Sequence, residues 1–354
     1  MCGMNLLKNK LYREDLAYVS ELNLPWEKLK KKSILLSGAT GMIGSFLIDV
    51  IMYKNLNEGL CCHIYAVGRN EEKARNRFKE YWENDLFDFV QHDVNKAMDC
   101  IQCNHVNYVL HLASNTHPMA YSTDPIGTIT TNIMGVYNML EFADRVHAER
   151  MAFVSSNEIY GENRGDVEKF DEKYLGYIDC NTMRAGYPES KRCGEALCQA
   201  YIAQKGLDVV IPRLTRSYGP TLLDSDTKAL SQFLKKGLAH EDIVLKSAGT
   251  QYYSYTYVAD AVAGLFIVLL CGEKGEAYNI SDKASDIMLK DLAAIIAKAS
   301  GTKVVFDVPD AVEAAGYSTA TKARLDNRKI TELGFKARYD IETGISRTLK
   351  IMEE

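Results

Sequence analysis

Residues 33–44 read Ser33-Ile-Leu-Leu-Ser-Gly38-Ala-Thr-Gly41-Met-Ile-Gly44, a short apolar run that ends in three glycines spaced three apart. The run is typical of a buried parallel strand, and the residues after it predict a helix over 42–53. Gly38 permits a tight turn, Gly41 lets backbone approach a phosphate, and Gly44 lets the helix pack closely. The helix N-terminus adds unpaired N–H groups and a positive dipole end. The stretch predicts a dinucleotide site, although a tight strand-to-helix turn without a ligand has the same pattern.

The composition is that of an ordinary globular protein: 47% of the 354 residues are hydrophobic and 25% are charged. The formal net charge of −5 argues against general binding of nucleic acid or of an anionic membrane. The longest apolar run, 261–271, is too short to span a bilayer. Nine scattered cysteines without an apolar leader favour reduced thiols in a cytoplasmic protein. Cys100 and Cys103 lack a second pair or a suitably spaced His, so no metal site is expected.

Strand and helix patterns alternate through the first half of the chain, at 62–67, 71–82, 87–94, 108–114, 124–145 and 150–155. This alternation predicts an α/β fold with a Rossmann-type doubly wound parallel sheet, in which ligands bind beyond the carboxyl ends of the strands. After a sixth strand at 208–214 the elements become shorter, which indicates a smaller C-terminal α/β domain. The expected organisation is a helical extension at 1–32, a dinucleotide-binding domain at 33–211, and a substrate-binding domain at 212–354 with some chain returning to the Rossmann sheet.

The second predicted strand ends in Gly68-Arg69-Asn70, without the acid that would accept a ribose 2′-OH in an NAD site. Arg69 could instead face a 2′-phosphate, which favours NADP, or could be a solvated loop residue. Asp93 and Val94 follow the third strand, where they could reach an adenine. His111 lies within the apolar fourth strand and is expected to be a satisfied core residue rather than a ligand.

Tyr187 and Lys191 are four residues apart at the start of a predicted helix, and therefore on one face. A nearby ammonium lowers the pKa of a tyrosine from its usual value of about 10, so that the phenol can act as a base near neutrality. Ser156 and Glu158 follow the fifth strand, where chemistry is expected in an open parallel sheet. Ser156 is interpreted as functional because Tyr187 and Lys191 accompany it. The alternative for Glu158 is a strand-end carboxylate bonded to backbone.

Together these motifs resemble the extended short-chain dehydrogenase/reductase family, through the glycine motif at 38–44, His111-Leu-Ala, Ser156 and Tyr187-x-x-x-Lys191. Within it the chain is similar to the NAD-dependent epimerase/dehydratase branch and, over about 33–350, to UDP-glucuronate decarboxylase-like nucleotide-sugar enzymes. The positions that carry this closer likeness are His111-Leu-Ala-Ser, Pro118, Tyr121, Pro125, Thr128, Thr131-Asn132, Gly135, Asn138 and Ser156-x-Glu158-x-Tyr160-Gly161.

The resemblance implies an NAD- or NADP-dependent enzyme that modifies a nucleotide sugar through a transient keto-sugar and recycles its cofactor. Tyr187 would remove a proton from a sugar hydroxyl while hydride passes to the nicotinamide. Lys191 would hold the nicotinamide ribose, and Ser156 would hydrogen-bond the reacting oxygen. A β-carboxylate next to the ketone could leave as CO2, with Glu158 as a second acid/base or an orienting group. The residues expected to bind the cofactor are Gly38, Thr40, Gly41, Met42, Ile43, Gly44, Arg69, Asp93, Val94, Leu112, Ala113, Ser114, Asn132, Tyr187 and Lys191.

Several positions depart from the family pattern. Arg216 stands where the family often has Asn, while Thr221 and Tyr253 stand where it has phosphate-binding arginines. Arg216 is therefore expected to supply an anion contact from a new direction, and Asn157, Arg216 and Tyr253 are the expected substrate-binding residues. Because similar dehydratases have an aspartic acid at the position of Asn157, simple 4,6-dehydration is not favoured.

Two other functions remain open from the sequence. A net NADPH-dependent reductase of a small carbonyl compound would suit Arg69, and would consume cofactor stoichiometrically. A non-catalytic dinucleotide-binding sensor is the other alternative, although the presence of Tyr187, Lys191 and Ser156 argues against it. The resemblance also implies a homodimer, formed through helices at about 125–145 and 187–204.

Overall fold

The computed structural model describes residues 5–100, 105–116, 121, 123–307 and 321–354. Cys103 and Pro118, which the sequence analysis named, lie outside the described residues, as does the side chain of Cys100. The strands are β1 (Ser33–Ser37), β2 (His63–Gly68), β3 (Phe87–Gln91), β4 (Tyr108–His111), β5 (Arg150–Phe153), β6 (Ser155–Ser156), β7 (Val209–Leu214), β8 (Arg216–Tyr218), β9 (Ile243–Leu245), β10 (Tyr252–Tyr257), β11 (Ala277–Ile280), β12 (Asp286–Met288), β13 (Val304–Phe306) and β14 (Lys322–Ala323). The α-helices are α1 (Lys10–Ser20), α2 (Met42–Glu58), α3 (Glu71–Arg77), α4 (Pro125–Arg145), α5 (Gly186–Lys205), α6 (Ala229–Leu238), α7 (Val258–Cys271), α8 (Leu289–Ser300), α9 (Arg328–Glu332) and α10 (Ile341–Glu353).

The central sheet is parallel, with strand order β11-β7-β5-β4-β1-β2-β3, and β6 continues the pairing along β7. β1 lies between β2 and β4, so the strand order reverses beside it and leaves a crevice at the carboxyl ends of β1 and β4. Ile34, Leu35 and Leu36 are fully buried, as expected for a strand covered on both faces. The predicted doubly wound Rossmann-type sheet is confirmed. β11 brings a later part of the chain back to this sheet beside β7.

The helices that flank the crevice differ in length from the prediction. α2 continues to Glu58 because Gly59 first adopts the left-handed conformation that ends it, with φ of 64°. α3 ends at Arg77 rather than near residue 82, because the chain turns there and buries Phe78 against Phe87, with ring centroids 5.2 Å apart. β3 and β4 also end three residues earlier than predicted, and the backbone that follows each of them borders the crevice.

A second, mixed sheet with order β12-β10-β14 holds the later part of the chain, and β8 pairs with β10. α6 packs on α8, and α8 packs on α10, beside this sheet. β8 and β10 place Arg216 and Tyr253 close to the main sheet's crevice. Within the described part of the chain, no helix combines the length and the apolar character that crossing a bilayer requires.

The N-terminal segment shares the main core. Tyr12, Leu16 and Val19 are buried where α1 packs against α2 and α7. On the same helix, burial raises the pKa of Asp15, whose carboxylate accepts hydrogen bonds from the Tyr257 hydroxyl at 2.6 Å and from Arg347 Nε at 3.0 Å. The segment is therefore fastened to the C-terminal helix by buried polar contacts as well as by apolar packing.

Candidate active site

A cleft of about 440 Å³ opens at the carboxyl ends of the central strands, next to the N-terminus of α2. The predicted site residues that line it are Gly38, Thr40, Gly41, Met42, Ile43, Gly44, Arg69, Asp93, Val94, Leu112, Ala113, Ser114, Ser156, Asn157, Glu158, Tyr187, Lys191 and Arg216. Asn132 and Tyr253 do not line it. The topology thus brings together residues from seven separate stretches of sequence.

The glycine-rich turn forms a tight backbone cradle at one wall of the cleft. At Gly38, where φ is +73°, an added Cβ would lie 2.8 Å from the backbone nitrogen of Ala113. At Gly44 an added Cβ would lie 2.4 Å from the carbonyl oxygen of Gly38. α2 begins immediately after Gly41, and no side chain hydrogen-bonds to that cap. A close-packed turn that leads into an uncapped helix N-terminus fits a dinucleotide pyrophosphate.

Tyr187 lies in the first turn of α5 and lines the cleft. Its hydroxyl is close enough to the side chains of Ser156 and Ser114 for both to lower its pKa, and its ring stacks on Tyr121 with centroids 5.0 Å apart. Burial and then the charge of Glu158 raise the pKa of Tyr187, whereas the two serine hydrogen bonds lower it. The predicted lowering of this pKa by Lys191 is not seen in the structure, because the Lys191 ammonium is bonded elsewhere.

Lys191 follows Tyr187 by one turn and is only 2% exposed. Its Nζ donates a hydrogen bond to the carbonyl oxygen of Val154 at 2.9 Å and lies 4.9 Å from the centroid of the Phe153 ring. Burial lowers the pKa of Lys191 to about 8, and the charge of Glu195 partly opposes that shift. The side chain thus holds a cation at the end of β5, under the cleft floor.

The lowered pKa of Lys191 predicts a specific pH dependence of stability. Below pH 8 the amine is charged in both the folded and the unfolded chain, and burial of the charge opposes folding. Between about pH 8 and 10.5 the unfolded chain binds more protons, so rising pH stabilises the fold. We expect the free energy of unfolding of the wild type, minus that of Lys191→Met, to rise by about 2–3 kcal/mol across this range. Urea unfolding of both proteins at several pH values checks it, and a difference that stays flat or falls would contradict the assignment.

Asn132 is fully buried behind the cleft wall and does not reach the cleft. Its Oδ1 accepts a hydrogen bond from Ser114 Oγ at 2.7 Å, and its Nδ2 donates to Ser190 Oγ at 2.9 Å. Ser190 Oγ in turn donates to the carbonyl oxygen of Tyr187 at 2.8 Å. Asn132 is therefore bonded to Ser114 and, through Ser190, to the first turn of α5, and its predicted role as a direct cofactor contact stays a prediction.

Arg216 and Tyr253 form a stacked pair, with the guanidinium carbon 3.6 Å from the centroid of the ring. Tyr253 is 7% exposed and packs against the Arg216 guanidinium, and its predicted role in substrate binding stays a prediction. Among the described residues, Nη1 of Arg216 is a buried nitrogen without a hydrogen-bond partner. A fixed guanidinium plane with an unsatisfied donor beside the cleft is suited to an anionic group.

Glu158 and Asn157 follow Ser156 in a turn of 3-10 helix over Asn157–Tyr160. Ser156 Oγ accepts the Glu158 N–H at 3.2 Å and so caps this turn. The Glu158 carboxylate is partly exposed and lies 3.7 Å from Nη2 of Arg184. Asn157 is 5% exposed yet borders the cleft. The turn thus presents one carboxylate and one amide next to Tyr187.

His111 is buried, as predicted, and its Nδ1 is hydrogen-bonded to Ser37 Oγ at 2.8 Å. Burial and the charge of Lys191 lower the pKa of His111 to about 3, so the imidazole is neutral. Only one ring nitrogen is satisfied, because Nε2 has no partner among the described residues. Gly135 lies against the ring, since an added Cβ would be 3.3 Å from Cε1.

A buried polar chain supports the cleft floor, and sequence reasoning missed it. Glu195 accepts a hydrogen bond from Ser155 Oγ at 2.6 Å and pairs with Arg213 at 2.6 Å. Arg213 donates to the Tyr160 hydroxyl at 2.8 Å, and that hydroxyl donates to Asn279 Oδ1 at 2.7 Å. Two features of the sequence could have indicated these contacts: the carboxylate of Glu195 four residues after Lys191, and Arg213 in an otherwise apolar strand.

The chain has clear relatives among known proteins. The model of the NAD dependent epimerase/dehydratase family matches residues 34–281. UDP-glucuronic acid decarboxylase 5 of Arabidopsis thaliana is 31% identical over 280 residues, which is 78% of each chain. UDP-glucuronic acid decarboxylase 1 of Xenopus tropicalis is 30% identical over 322 residues, 90% of this chain and 72% of that protein.

The fold likeness extends over nearly the whole chain. The crystal structure of UDP-glucuronic acid 4-epimerase from Bacillus cereus, in complex with UDP-glucuronic acid and NAD, has a TM-score of 0.77 and 21% identity, and the match covers 90% of this chain and 98% of the epimerase. The family membership inferred from the sequence motifs is confirmed. This chain belongs to the NAD-dependent epimerase/dehydratase family.

Proposed function

We propose that the protein is an NAD(P)-dependent enzyme that modifies a nucleotide sugar through a transient keto-sugar and restores its cofactor in each cycle. The observation that carries the proposal is the position of Tyr187, which lines the same cleft as the glycine cradle together with Ser156 and Ser114. The named activities of the relatives support a nucleotide sugar as the substrate class. A bound nicotinamide supplies hydride acceptance from a carbon that carries a hydroxyl, and can return that hydride.

Side chains of the protein accept the proton of the reacting hydroxyl and hydrogen-bond its oxygen. Tyr187 takes the proton of the reacting hydroxyl, and Ser156 donates a hydrogen bond to the same oxygen as it becomes a carbonyl. Because burial raises the pKa of Tyr187, an added positive charge beside the phenol is needed before it acts as a base near neutral pH. Lys191 is the cation on the same helix face, and for this role its Nζ has to exchange its hydrogen bond to the Val154 carbonyl for a place beside the phenol.

Glu158 provides the second acid/base or orienting group next to the new ketone. A ketone stabilises negative charge on the neighbouring carbon, so a β-carboxylate on the sugar leaves as CO2 while the electron pair of the broken C–C bond passes to the carbonyl as an enolate, which is then protonated. The amide of Asn157 cannot donate a proton as a carboxylic acid does, which favours decarboxylation or epimerisation over dehydration. The decarboxylases among the relatives support the first of these outcomes.

Arg216 is proposed to bind an anionic group of the substrate, a phosphate or a sugar carboxylate. Replacing it by Gln removes a charge-assisted hydrogen bond, so we expect the KM for the nucleotide sugar to rise about 10-fold to 100-fold. The affinity for the dinucleotide alone should stay within about 2-fold. Tyr253→Phe is the matched control, because it keeps the stacked ring and should leave KM nearly unchanged. An unchanged KM in Arg216→Gln would contradict this role.

The experiment that tests the proposed activity compares the amount of product formed with the amount of dinucleotide supplied. The purified full chain is supplied with a dinucleotide at a small fraction of the substrate concentration, and a panel of nucleotide sugars is followed by chromatography. We expect at least one sugar to be converted in many-fold excess over the dinucleotide. Conversion that stops when the dinucleotide is spent would instead identify a net reductase or oxidase, and no conversion in any arm contradicts the proposal.

A net NADPH-dependent reductase is the second candidate, and Arg69 favours it. Its guanidinium is exposed at the end of β2, where it lines the cleft. An arginine at this strand end can accommodate the 2′-phosphate of NADPH. The product count above separates this activity from internal recycling.

We also infer a homodimer in the cytoplasm. The outward face of α4 exposes Ile126, Ile129, Met134 and Tyr137, and α4 packs along α5. Exposed apolar side chains on a helix pair are typical of an interface between copies of one chain. Light scattering of the purified protein tests the dimer, and the cytoplasmic setting follows from the scattered, odd-numbered cysteines.

A further inference from the structure

A cation lies beside the pair of rings that Tyr187 and Tyr121 form at one end of the cleft. The two rings stack with centroids 5.0 Å apart. The guanidinium carbon of Arg184 is 5.2 Å from the centroid of the Tyr121 ring, and its Nη2 is 3.7 Å from the Glu158 carboxylate. Tyr121 and Glu158 both line the cleft, whereas Arg184 lies behind them, outside its lining. Arg184 therefore contacts two cleft residues that adjoin Tyr187.

The fold of the chain before α5 places Arg184 there. Met183–Ala185 form a turn of 3-10 helix that leads directly into α5, and Tyr187 is in the first turn of that helix. Ala185 is 4% exposed and packs this turn against the protein, whereas the Arg184 side chain is 47% exposed. Replacing a side chain as exposed as Arg184 leaves no deeply buried charge unpaired, so its role can be tested in a folded protein.

The groups around Tyr187 include one carboxylate, and its charge opposes ionisation of the phenol. Burial is the largest effect that raises the pKa of Tyr187, and the negative charge of Glu158 raises it further. The side chains of Ser156 and Ser114 lower this pKa. Lys191, one turn further along α5, is a cation on the same helix, and its ammonium is bonded to a backbone carbonyl. A phenolate at this position is therefore repelled by Glu158, because a like charge disfavours the ionised form.

Tyr121 is subject to the charges of both Glu158 and Arg184, which act on it in opposite directions. Burial raises the pKa of Tyr121 most, and the charge of Glu158 raises it further. The charges of Arg184 and of Arg216 lower it. Arg184 therefore opposes the Glu158 charge at a ring that stacks on Tyr187.

We propose that Arg184 is a positioning residue for the reaction, which holds the Glu158 carboxylate in place and offsets part of its negative charge beside Tyr187. Arg184 acts through Glu158, and it does so from outside the cleft. With the carboxylate charge reduced, the phenolate form of Tyr187 is repelled less and accepts the substrate proton more readily. The inference rests on the proposed function, because it requires Tyr187 to act as the base.

The test is the pH dependence of turnover in Arg184→Gln, measured with a nucleotide sugar that the wild type converts. Loss of the cation leaves the Glu158 charge uncompensated, so Tyr187 loses its proton at higher pH. The acidic limb of the profile, on which kcat rises with pH, should therefore move upward by about 0.5 to 1 pH unit, the size suited to a partly exposed pair. At a pH on that limb, kcat falls about 3-fold to 10-fold, while KM stays within about 2-fold.

Three further variants separate this role from a merely structural one. Arg184→Lys keeps the positive charge and should move the limb by less than half as much as Arg184→Gln. Adding Arg184→Gln to Glu158→Gln should move the limb no further, because the opposed charge is already gone; single-turnover rates make slow variants measurable. Arg164→Gln is the matched control, since Arg164 is exposed over another tyrosine ring, 4.9 Å from the centroid of Tyr177, and does not line the cleft. Its profile should coincide with that of the wild type.

The outcomes distinguish this inference from the proposed function. An acidic limb in Arg184→Gln that coincides with that of the wild type overturns the inference, whether or not kcat itself falls. A shift of equal size in the Glu158→Gln background overturns it as well, because the effect would not pass through the carboxylate. Both results leave the proposed function standing. Turnover of no nucleotide sugar by the folded wild type overturns the proposed function together with this inference.

Discussion

Replacing Tyr187 by Phe is expected to lower turnover by about 10²-fold to 10⁴-fold, the range that a positioned acid–base group contributes. The change removes one hydroxyl, which lies beside Ser156 and Ser114, from a side chain that is 6% exposed. The ring and its stacking on Tyr121 remain, so the cleft keeps its shape. Dinucleotide affinity and thermal stability should therefore stay close to those of the wild type. Steady-state kinetics measures turnover, calorimetric titration measures dinucleotide affinity, and thermal unfolding measures stability.

Tyr201→Phe is the matched control for this prediction. Tyr201 lies near the other end of α5, and its hydroxyl bonds to Glu141 rather than to any cleft residue. Its turnover should equal that of the wild type. If Tyr187→Phe keeps more than about a tenth of the wild-type turnover, the phenol does not carry the proton. A loss in both variants would point instead to a general disturbance of α5.

Replacing Arg213 by Met is expected to lower the free energy of unfolding by about 3–5 kcal/mol, because breaking a buried pair leaves an uncompensated charge. Arg213 is 8% exposed and pairs with Glu195, whose side chain is 14% exposed, at 2.6 Å. It also donates to the Tyr160 hydroxyl and to the carbonyl oxygen of Glu172. Methionine fills much of the volume but replaces none of these bonds. Urea denaturation at neutral pH measures the loss.

Two comparisons isolate the charge effect at Arg213. The double variant Arg213→Met with Glu195→Met should be more stable than Arg213→Met alone, because the unpaired carboxylate is gone. Arg75→Ala, which breaks the exposed Arg75–Glu71 pair, should cost no more than about 1 kcal/mol. A loss below about 1 kcal/mol in Arg213→Met would show that the buried chain from Ser155 to Asn279 does not stabilise the sheet.

Local sequence patterns were sufficient to predict the architecture and most of the residues that line the cleft. Apolar runs, glycine spacing and the alternation of strands and helices predict the parallel sheet, because each pattern depends on neighbouring residues. Parallel strands bring their carboxyl ends to one edge, so residues that follow the strands meet in one cleft. The predicted end of α3 was wrong because the helix stops where Phe78 is buried against Phe87, and this is a contact between two elements.

The features that the sequence did not predict depend on distances between elements. Spacing places Tyr187 and Lys191 on one face, but only the fold shows that the ammonium bonds to the Val154 carbonyl and that burial raises the pKa of Tyr187. Asn132 sits behind Ser114 rather than in the cleft, and Tyr253 lies beneath Arg216. The order of residues does not show how deeply Asn132 and Tyr253 are buried, because their burial depends on how strands and helices pack.

The most direct test of the central claim is rapid mixing of the wild-type enzyme, loaded with one equivalent of oxidised dinucleotide, with a nucleotide sugar that it converts. The absorbance band of the reduced nicotinamide is followed with no other oxidant or reductant present. Internal recycling through Tyr187 predicts that the band rises and then returns to its starting level while product accumulates, and that Tyr187→Phe shows no rise. Product formation without any rise, or the same transient in Tyr187→Phe, would contradict it.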